Sequence, residues 1–190
     1  MWIKWLSVCI MSISFAVFIP SSFAAKALFY YKGEPAFFVT DNPSDKKSYL
    51  KHFPAWFDTQ GSRYLVFNPK KLAFAIYDEQ GKKIGAGKAV GGALYCKDVG
   101  RSCKTVRGTF TIYSKASKHH RSSKYPSPNG GAPMPYAMHF YKGYAIHGSN
   151  SLPNINASHG CIRVENETAG WLSKYFVQSS RTKVLVLKYK

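Results

Sequence analysis

The sequence predicts a mainly β domain, built as a sandwich or barrel, with one helix close behind a cysteine near the C-terminus. Seven short segments rich in β-branched and aromatic residues are bounded by Gly, Pro or Asn, as strands are. A strong helical spacing of apolar residues occurs in the stretch from Asn166 to Phe176. Many short strands without alternating helices are typical of sandwiches and barrels.

The strand segments follow one another along the chain, and turn residues separate several neighbours. Asn68-Pro69, Glu79-Gln80-Gly81 and Lys142-Gly143 are sequences that favour turns. In chain order the predicted strands are Arg63–Asn68, Lys71–Asp78, Lys82–Gly92, Gly108–Lys115, Tyr136–Tyr141, Gly143–Ser149 and Thr182–Tyr189.

The predicted helix begins near Asn166, whose side chain is suited to cap the first turn. We expect the helix to pack over the sheet behind the Cys161 segment. A weaker second helix is predicted over Ser44–Phe53. The residues that place an apolar side on the first helix are Thr168, Trp171, Leu172, Tyr175 and Phe176.

A long polar segment, Ser114–Pro135, connects two predicted strands and is rich in Pro and Gly. Loops of this length within a compact domain usually act as lids or binding loops, or are disordered. His119 and His120 lie within it among lysines. Because adjacent histidines diverge on an extended chain, we expect a solvated basic loop here rather than a metal site.

The N-terminal residues resemble a secretory signal peptide, with Lys4 before an apolar run and small residues around Ala24. We expect cleavage after Ala24, and hence export to the periplasm or cell wall. A transmembrane anchor is the alternative, but the run from Leu6 to Ile19 is shorter than the roughly 20 residues that span a bilayer.

The chain carries a net charge of +18 at pH 7, which favours polyanionic surroundings. For an exported protein this indicates anionic envelope polymers or lipid head groups rather than nucleic acid. A basic surface that only aids solubility is the alternative. The length of the remaining chain fits one domain, and we expect it to act as a monomer.

Without Cys9, three cysteines remain, so one should stay unpaired. Cys96 and Cys103 flank a short polar segment and are natural disulfide partners in an oxidising compartment. Cys161 is then the free thiol.

The surroundings of Cys161 favour a reactive thiol over a buried structural cysteine. Gly160 lets the backbone approach a ligand closely, and a strand-like segment brings His147 into the region. We expect the cations His159 and Arg163, with the nearby helix N-terminus, to lower the thiol pKa and so favour the nucleophilic thiolate.

Zinc binding is the competing chemistry at this cysteine. His139, His147, His159 and Cys161 offer the four ligand types of a tetrahedral site. Their spacing lacks the short pairs of common zinc motifs, so we rank zinc below thiol catalysis and expect no cofactor. His139 is then a strand residue with a hydrogen bond.

The stretch "IHGSNSLPNINASHGCIRV" resembles the active-site signature of the YkuD-type L,D-transpeptidase catalytic domains. That signature has a His-Gly pair, then Ser/Thr-His-Gly-Cys, with Arg or Asn two residues later. The upstream segments "YLVFNPKKLAFAIYDEQGKKIGAGKAVGG" and "TVRGTFTIYSK" are similar to the opening strands of the family. The resemblance implies a YkuD-like catalytic domain over residues 63–190. The predicted signal peptide (1–24) and an extension of unknown role (25–62) precede it.

The resemblance also implies a reaction. Cys161 would attack a peptidoglycan tetrapeptide stem, release D-Ala, hold the stem as a thioester and pass it to an amine. His147 would act as base and acid, with the Gly148 carbonyl orienting its ring. The sequence leaves His159 open as an alternative base.

The remaining residues of the signature would shape and line the site. The N–H groups of Gly160 and Cys161 would form an oxyanion hole. Ser158 and His159 would shape the turn, and Arg163 suits either a stem carboxylate or a structural salt bridge. Two other functions stay open: transfer of the same thioester to water, as in a carboxypeptidase or endopeptidase, and a non-catalytic module that binds the envelope.

Overall fold

Two β-sheets form the body of the protein in a computed structural model that describes residues 28–31, 34–37, 49–126 and 128–190. The mainly β sandwich expected from the sequence is confirmed. Its strands are β1 (Leu28–Tyr31), β2 (Glu34–Phe37), β3 (Tyr64–Asn68), β4 (Ala73–Tyr77), β5 (Lys83–Lys88), β6 (Gly108–Thr111), β7 (Ser114–Lys115), β8 (Met138–Tyr141), β9 (Tyr144–Gly148), β10 (Ile162–Val164) and β11 (Lys183–Val186).

The larger sheet has five strands in the order β5-β4-β3-β11-β6, with β11 parallel to β3 and antiparallel to β6. The smaller sheet has the order β10-β9-β8-β7, and its β10 runs parallel to β9. β1 and β2 pair as a separate antiparallel hairpin. Helix α1 (Asn166–Trp171) follows β10 and continues as a π-helical turn over Leu172–Phe176.

The main core lies between the two sheets because alternate side chains of each strand point inward. From the larger sheet, Leu65 and Phe67 are fully buried in it, and from the smaller sheet Ile146 and Ile162. The helical segment adds side chains such as Leu172 to the same cluster. The predicted packing of this helix behind the Cys161 segment is therefore observed.

A second core covers the other face of the larger sheet. Tyr64 and Val66 point into it and meet Phe53, which lies just after a 3₁₀ turn at Tyr49–His52. The Lys83 ammonium donates to the Leu50 and Phe53 carbonyls, both at 2.7 Å, and fixes this cover. Because both faces are covered, β4 is buried along its whole length.

One strand prediction was wrong, and strand β10 was missed. Gly108–Lys115 is not one strand: the Ile112 N–H donates to Thr182 in the larger sheet, and the Tyr113 N–H donates to His139 in the smaller one. The chain therefore crosses between sheets at this point, as β6 and then β7. Strand β10 was not predicted, since three residues are too short to show a period.

Asn166 does not cap α1. The preceding residue, Glu165, is the N-cap with an extended ψ of 152°, and the Asn166 side chain instead donates to Asn150. The weaker helix prediction over Ser44–Phe53 reduces to the Tyr49–His52 turn, with residues 44–48 outside the described part. The signal-peptide prediction at 1–24 also lies outside it. Among the described residues, no helix is long and apolar enough to cross a membrane.

Candidate active site

Parallel pairing of β9 and β10 brings the predicted site residues to one face of the smaller sheet. Ile162 is paired with Ile146, and Arg163 with His147. The two isoleucines point into the core, so side chains one position away face the opposite side. On that side a cavity of about 740 Å³ is lined by His147, Cys161 and Arg163. We call it the cleft.

A tight turn presents Cys161 to the cleft. Gly160 has φ of +131°, and a Cβ there would lie 2.6 Å from the Tyr144 ring, so only glycine fits without strain. The buried Ser158 hydroxyl accepts the Gly160 N–H at 3.0 Å and donates to the Cys161 carbonyl. The expectation that the Gly160 N–H serves an oxyanion hole is therefore not met in this conformation, and the Cys161 N–H remains the candidate donor.

The segment after β5 holds this turn from behind. Val90 exchanges backbone hydrogen bonds with Arg163, and the Ala93 N–H donates to the Ser158 carbonyl at 2.8 Å. Cys96 and Cys103 form a disulfide next to this segment, and Cys161 is free. The disulfide loop thus adjoins the backbone that positions the free thiol.

His147 is oriented as a neutral base. The residue is buried, with 5% of its surface exposed, and Nδ1 lies 2.8 Å from the Gly148 carbonyl. A carbonyl can only accept, so Nδ1 carries the proton and the Nε2 lone pair is left as an acceptor. Burial, together with the charges of Arg163, His120 and His139, lowers the pKa of His147 to about 4, against the raising effect of the Gly148 hydrogen bond.

The Cys161 thiol is half-buried, and its Sγ lies 3.8 Å from the Gly143 carbonyl. Burial raises the pKa of Cys161, and it outweighs the lowering effects of the Ala145 backbone and of Arg163. The sequence-based expectation of a lowered thiol pKa was wrong, because it counted nearby cations but not the loss of water. The resting pair is a neutral thiol with a neutral imidazole.

His159 is engaged elsewhere. Its Nε2 lies 2.7 Å from an Asp98 carboxylate oxygen, and its ring stacks on Tyr125 with centroids 4.2 Å apart. Arg101 donates to the Tyr125 hydroxyl at 3.2 Å. These contacts hold residues 116–126 and 128–135, which we call the covering loop, against the cleft.

The covering loop is the part of the site that the sequence located least well. It contributes His120, Arg121 and Tyr125 to the cleft lining, although we expected a solvated loop at the histidines. Asp98 was missed as well. A signal existed, since the chain has just nine acidic residues and one of them lies inside the disulfide loop.

The zinc alternative finds no support in the arrangement of the histidines. Among the described residues, the group of His, Cys and acidic side chains close enough to share an ion is Cys96, Cys103 and His159. The sulfurs of Cys96 and Cys103 form a disulfide, so they are not available as thiolate ligands. His139 lies on β8, with Nδ1 at 3.5 Å from the Ser114 hydroxyl.

The sequence profile of the YkuD L,D-transpeptidase catalytic domain matches residues 62–186. The chain belongs to the YkuD family. Its fold is similar to that of an L,D-transpeptidase from Xylanimonas cellulosilytica, with 26% identity, a TM-score of 0.61, and coverage of 72% of this chain and 66% of that one. No match was found among curated proteins.

Two further solved structures share the YkuD fold. An L,D-transpeptidase from Stackebrandtia nassauensis is 17% identical, with a TM-score of 0.58 and coverage of 71% and 60% of the two chains. L,D-transpeptidase 3 from Mycobacterium tuberculosis, in complex with a faropenem-derived adduct, is 20% identical, with a TM-score of 0.52 and coverage of 67% and 60%. This chain spans about three fifths to two thirds of the length of these structures.

Acidification is expected to destabilise this YkuD domain through His147. The pKa of the ring is 6.5 in the ordinary case and about 4 when folded, so between these values the unfolded chain binds the extra proton. The stabilising contribution is full above pH 6.5 and is lost as pH falls to 4. The loss reaches about 3 kcal/mol.

Urea unfolding at pH 7 and pH 4.5 measures this effect. His147→Gln should lose less stability between the two values than the wild type does. His119→Gln, at an exposed loop position, should lose as much as the wild type. Identical pH dependence in wild type and His147→Gln would contradict the linkage.

Proposed function

We propose that the protein is a cysteine-dependent L,D-transpeptidase acting on peptidoglycan tetrapeptide stems, with Cys161 as nucleophile and His147 as base. The observation that carries the proposal is that His147 on β9 and Cys161, directly before the paired strand β10, both line the cleft. Membership of the YkuD family supports the reaction class.

In the first half of the reaction, Cys161 Sγ attacks the carbonyl carbon of the third stem residue while His147 Nε2 takes the thiol proton. The carbonyl oxygen becomes an oxyanion, and the Cys161 N–H is suited to stabilise it. When the C–N bond to the terminal D-Ala breaks, His147 returns the proton to the leaving amine. The stem is then held as a thioester.

In the second half, an amine on a neighbouring stem attacks the thioester. His147 takes the proton of that amine and gives it to the departing sulfur, which restores the neutral thiol. Because the resting thiol and imidazole are both neutral, the proton leaves the sulfur as the new bond forms. The Gly148 carbonyl stabilises the ring cation that forms briefly at each step.

Export belongs to the same proposal. A signal peptide at residues 1–24 would deliver the protein to the periplasm or cell wall, where its substrate lies. The Cys96–Cys103 disulfide suits that oxidising compartment. The net charge of +18 suits a surrounding of anionic polymers.

Intact-mass analysis after exposure to a carbapenem tests the nucleophile. The M. tuberculosis relative in complex with a faropenem-derived adduct makes a β-lactam a reasonable probe. One covalent adduct is expected on the wild type and on the control His119→Gln, and none on Cys161→Ala. An adduct on Cys161→Ala, or none on the wild type, would contradict the proposal.

A further inference from the structure

The cleft has an unusual charge balance for a site that binds peptides. Its described lining contains no Asp or Glu, and it contains five side chains that are cationic at pH 7. The nearby carboxylate of Asp98 is paired with His159. The cations are Arg101, Arg121, Lys124, Lys142 and Arg163.

From this charge balance we infer that the cleft selects acyl donors whose carboxylates are free over donors in which the same groups are carboxamides. The inference rests on the proposed function and adds the chemical form of the substrate to it. Two parts of the lining carry the inference. One is Arg163, on the strand that follows Cys161, and the other is the set of cations on the covering loop and the adjacent disulfide loop.

Arg163 is the first of these cations. It is half-buried on the cleft face of β10, two residues from Cys161, which corresponds to about 7 Å along a strand. Within the described part of the chain, the close contacts between basic side chains and carboxylates join Arg63 to Glu79 and His159 to Asp98, so Arg163 has no carboxylate partner there. A partly desolvated guanidinium gains most from a carboxylate, which it binds in a bidentate fashion.

The sequence left two roles open for Arg163, a stem carboxylate or a structural salt bridge. The described residues provide no structural partner, which favours the stem.

The covering loop supplies the second group. Arg121 donates to the Gly131 carbonyl at 2.7 Å, and the Lys124 ammonium lies over the Tyr125 ring at 5.7 Å. Arg101, from the disulfide loop, donates to the phenol of Tyr125. All of these partners are uncharged, so they position the cations without neutralising them.

Peptide stems suit this arrangement because they carry several carboxylates close to the bond that reacts. Amidation replaces a charged acceptor with a neutral group that also donates hydrogen bonds. Between a wall of cations, such a group loses the charge-assisted part of each bond and places its NH₂ against other donors. Discrimination should therefore be at the level of kcat/KM and should weaken with salt.

The test compares two tetrapeptide stems that differ in the side-chain carboxyl of the third residue, free in one and amidated in the other. Release of D-Ala is followed by mass spectrometry, and kcat/KM is measured for each stem at low and high salt. We expect a preference of about tenfold for the free acid at low salt, falling as salt rises.

Matched variants identify the source of the preference. Arg163→Gln, Arg121→Gln and Lys124→Gln should each bring the ratio of the two kcat/KM values towards one, mainly by slowing the free acid. Lys118→Gln, an exposed cation of the same loop outside the cleft lining, should keep the wild-type ratio.

Equal use of the two stems, a preference for the amide, or an unchanged ratio in all three cleft variants would overturn the inference alone. If neither stem loses D-Ala, the proposed function fails, and the inference fails with it. The carbapenem adduct on Cys161 is read in the same samples and shows whether the thiol is reactive.

Discussion

Replacing His147 with glutamine is expected to slow acylation of Cys161 by about a thousandfold. Glutamine keeps a polar side chain of similar reach but cannot accept a proton at neutral pH. Since burial raises the pKa of the thiol, few thiolates exist without a base to form them. The acylation rate of purified variants, followed as growth of the adduct mass with time, measures the effect.

The acylation rate of His159→Gln is the comparison that distinguishes the two candidate bases. His159 contacts the Asp98 carboxylate through Nε2 and stacks on Tyr125, so its loss should loosen the covering loop and slow acylation by less than about tenfold. A normal rate in His147→Gln, or a far greater loss in His159→Gln, would reverse the assignment of the base. Thermal melts of both variants test whether the fold is retained.

Gly92→Ala is expected to lower the free energy of unfolding by more than about 3 kcal/mol. A Cβ at this position would lie 1.7 Å from the Cys103 carbonyl oxygen and 2.9 Å from the Thr105 nitrogen. Both contacts are with backbone, which cannot rotate away as a side chain can. To remove these clashes, the disulfide loop would have to move away from the Gly92 segment, which pairs with Ser158.

Gly143→Ala is the matched control for stability, because a Cβ there meets nothing within 4 Å and its φ lies outside the left-handed region. It should unfold within about 1 kcal/mol of the wild type. Urea denaturation of both variants measures the difference. Similar midpoints for Gly92→Ala and Gly143→Ala would show that the disulfide loop shifts at little cost.

Much of the fold could be predicted from local pattern, and the departures arise where long-range pairing decides. Alternating or apolar runs such as Tyr64–Asn68 become strands because their side chains find a core on one face or both. The crossing between sheets at Ile112 could not be predicted. The strand-like sequence continues through this residue, and only the strands with which it forms hydrogen bonds change. Strand β10 forms because β9 and Val90 lie on either side of it.

The site divides in a similar way. The motif around Cys161 predicted which residues share the cleft. A strand, a glycine turn and a second strand lie close together along the chain there, so their arrangement depends mainly on local sequence. The ionisation of the thiol could not be predicted, since burial is a property of the assembled fold. The partners of His159 could not either, because Asp98 lies 61 residues away along the chain.

The raised pKa of Cys161 has a consequence for the life of the protein outside catalysis. Peroxides and disulfides react with the thiolate far faster than with the thiol, so a sulfur that keeps its proton resists conversion to sulfenic acid and to mixed disulfides. In the proposed mechanism this burial makes Cys161 depend on His147, and the same burial protects the sulfur from oxidation. An unpaired cysteine can in this way persist beside a disulfide in an oxidising environment.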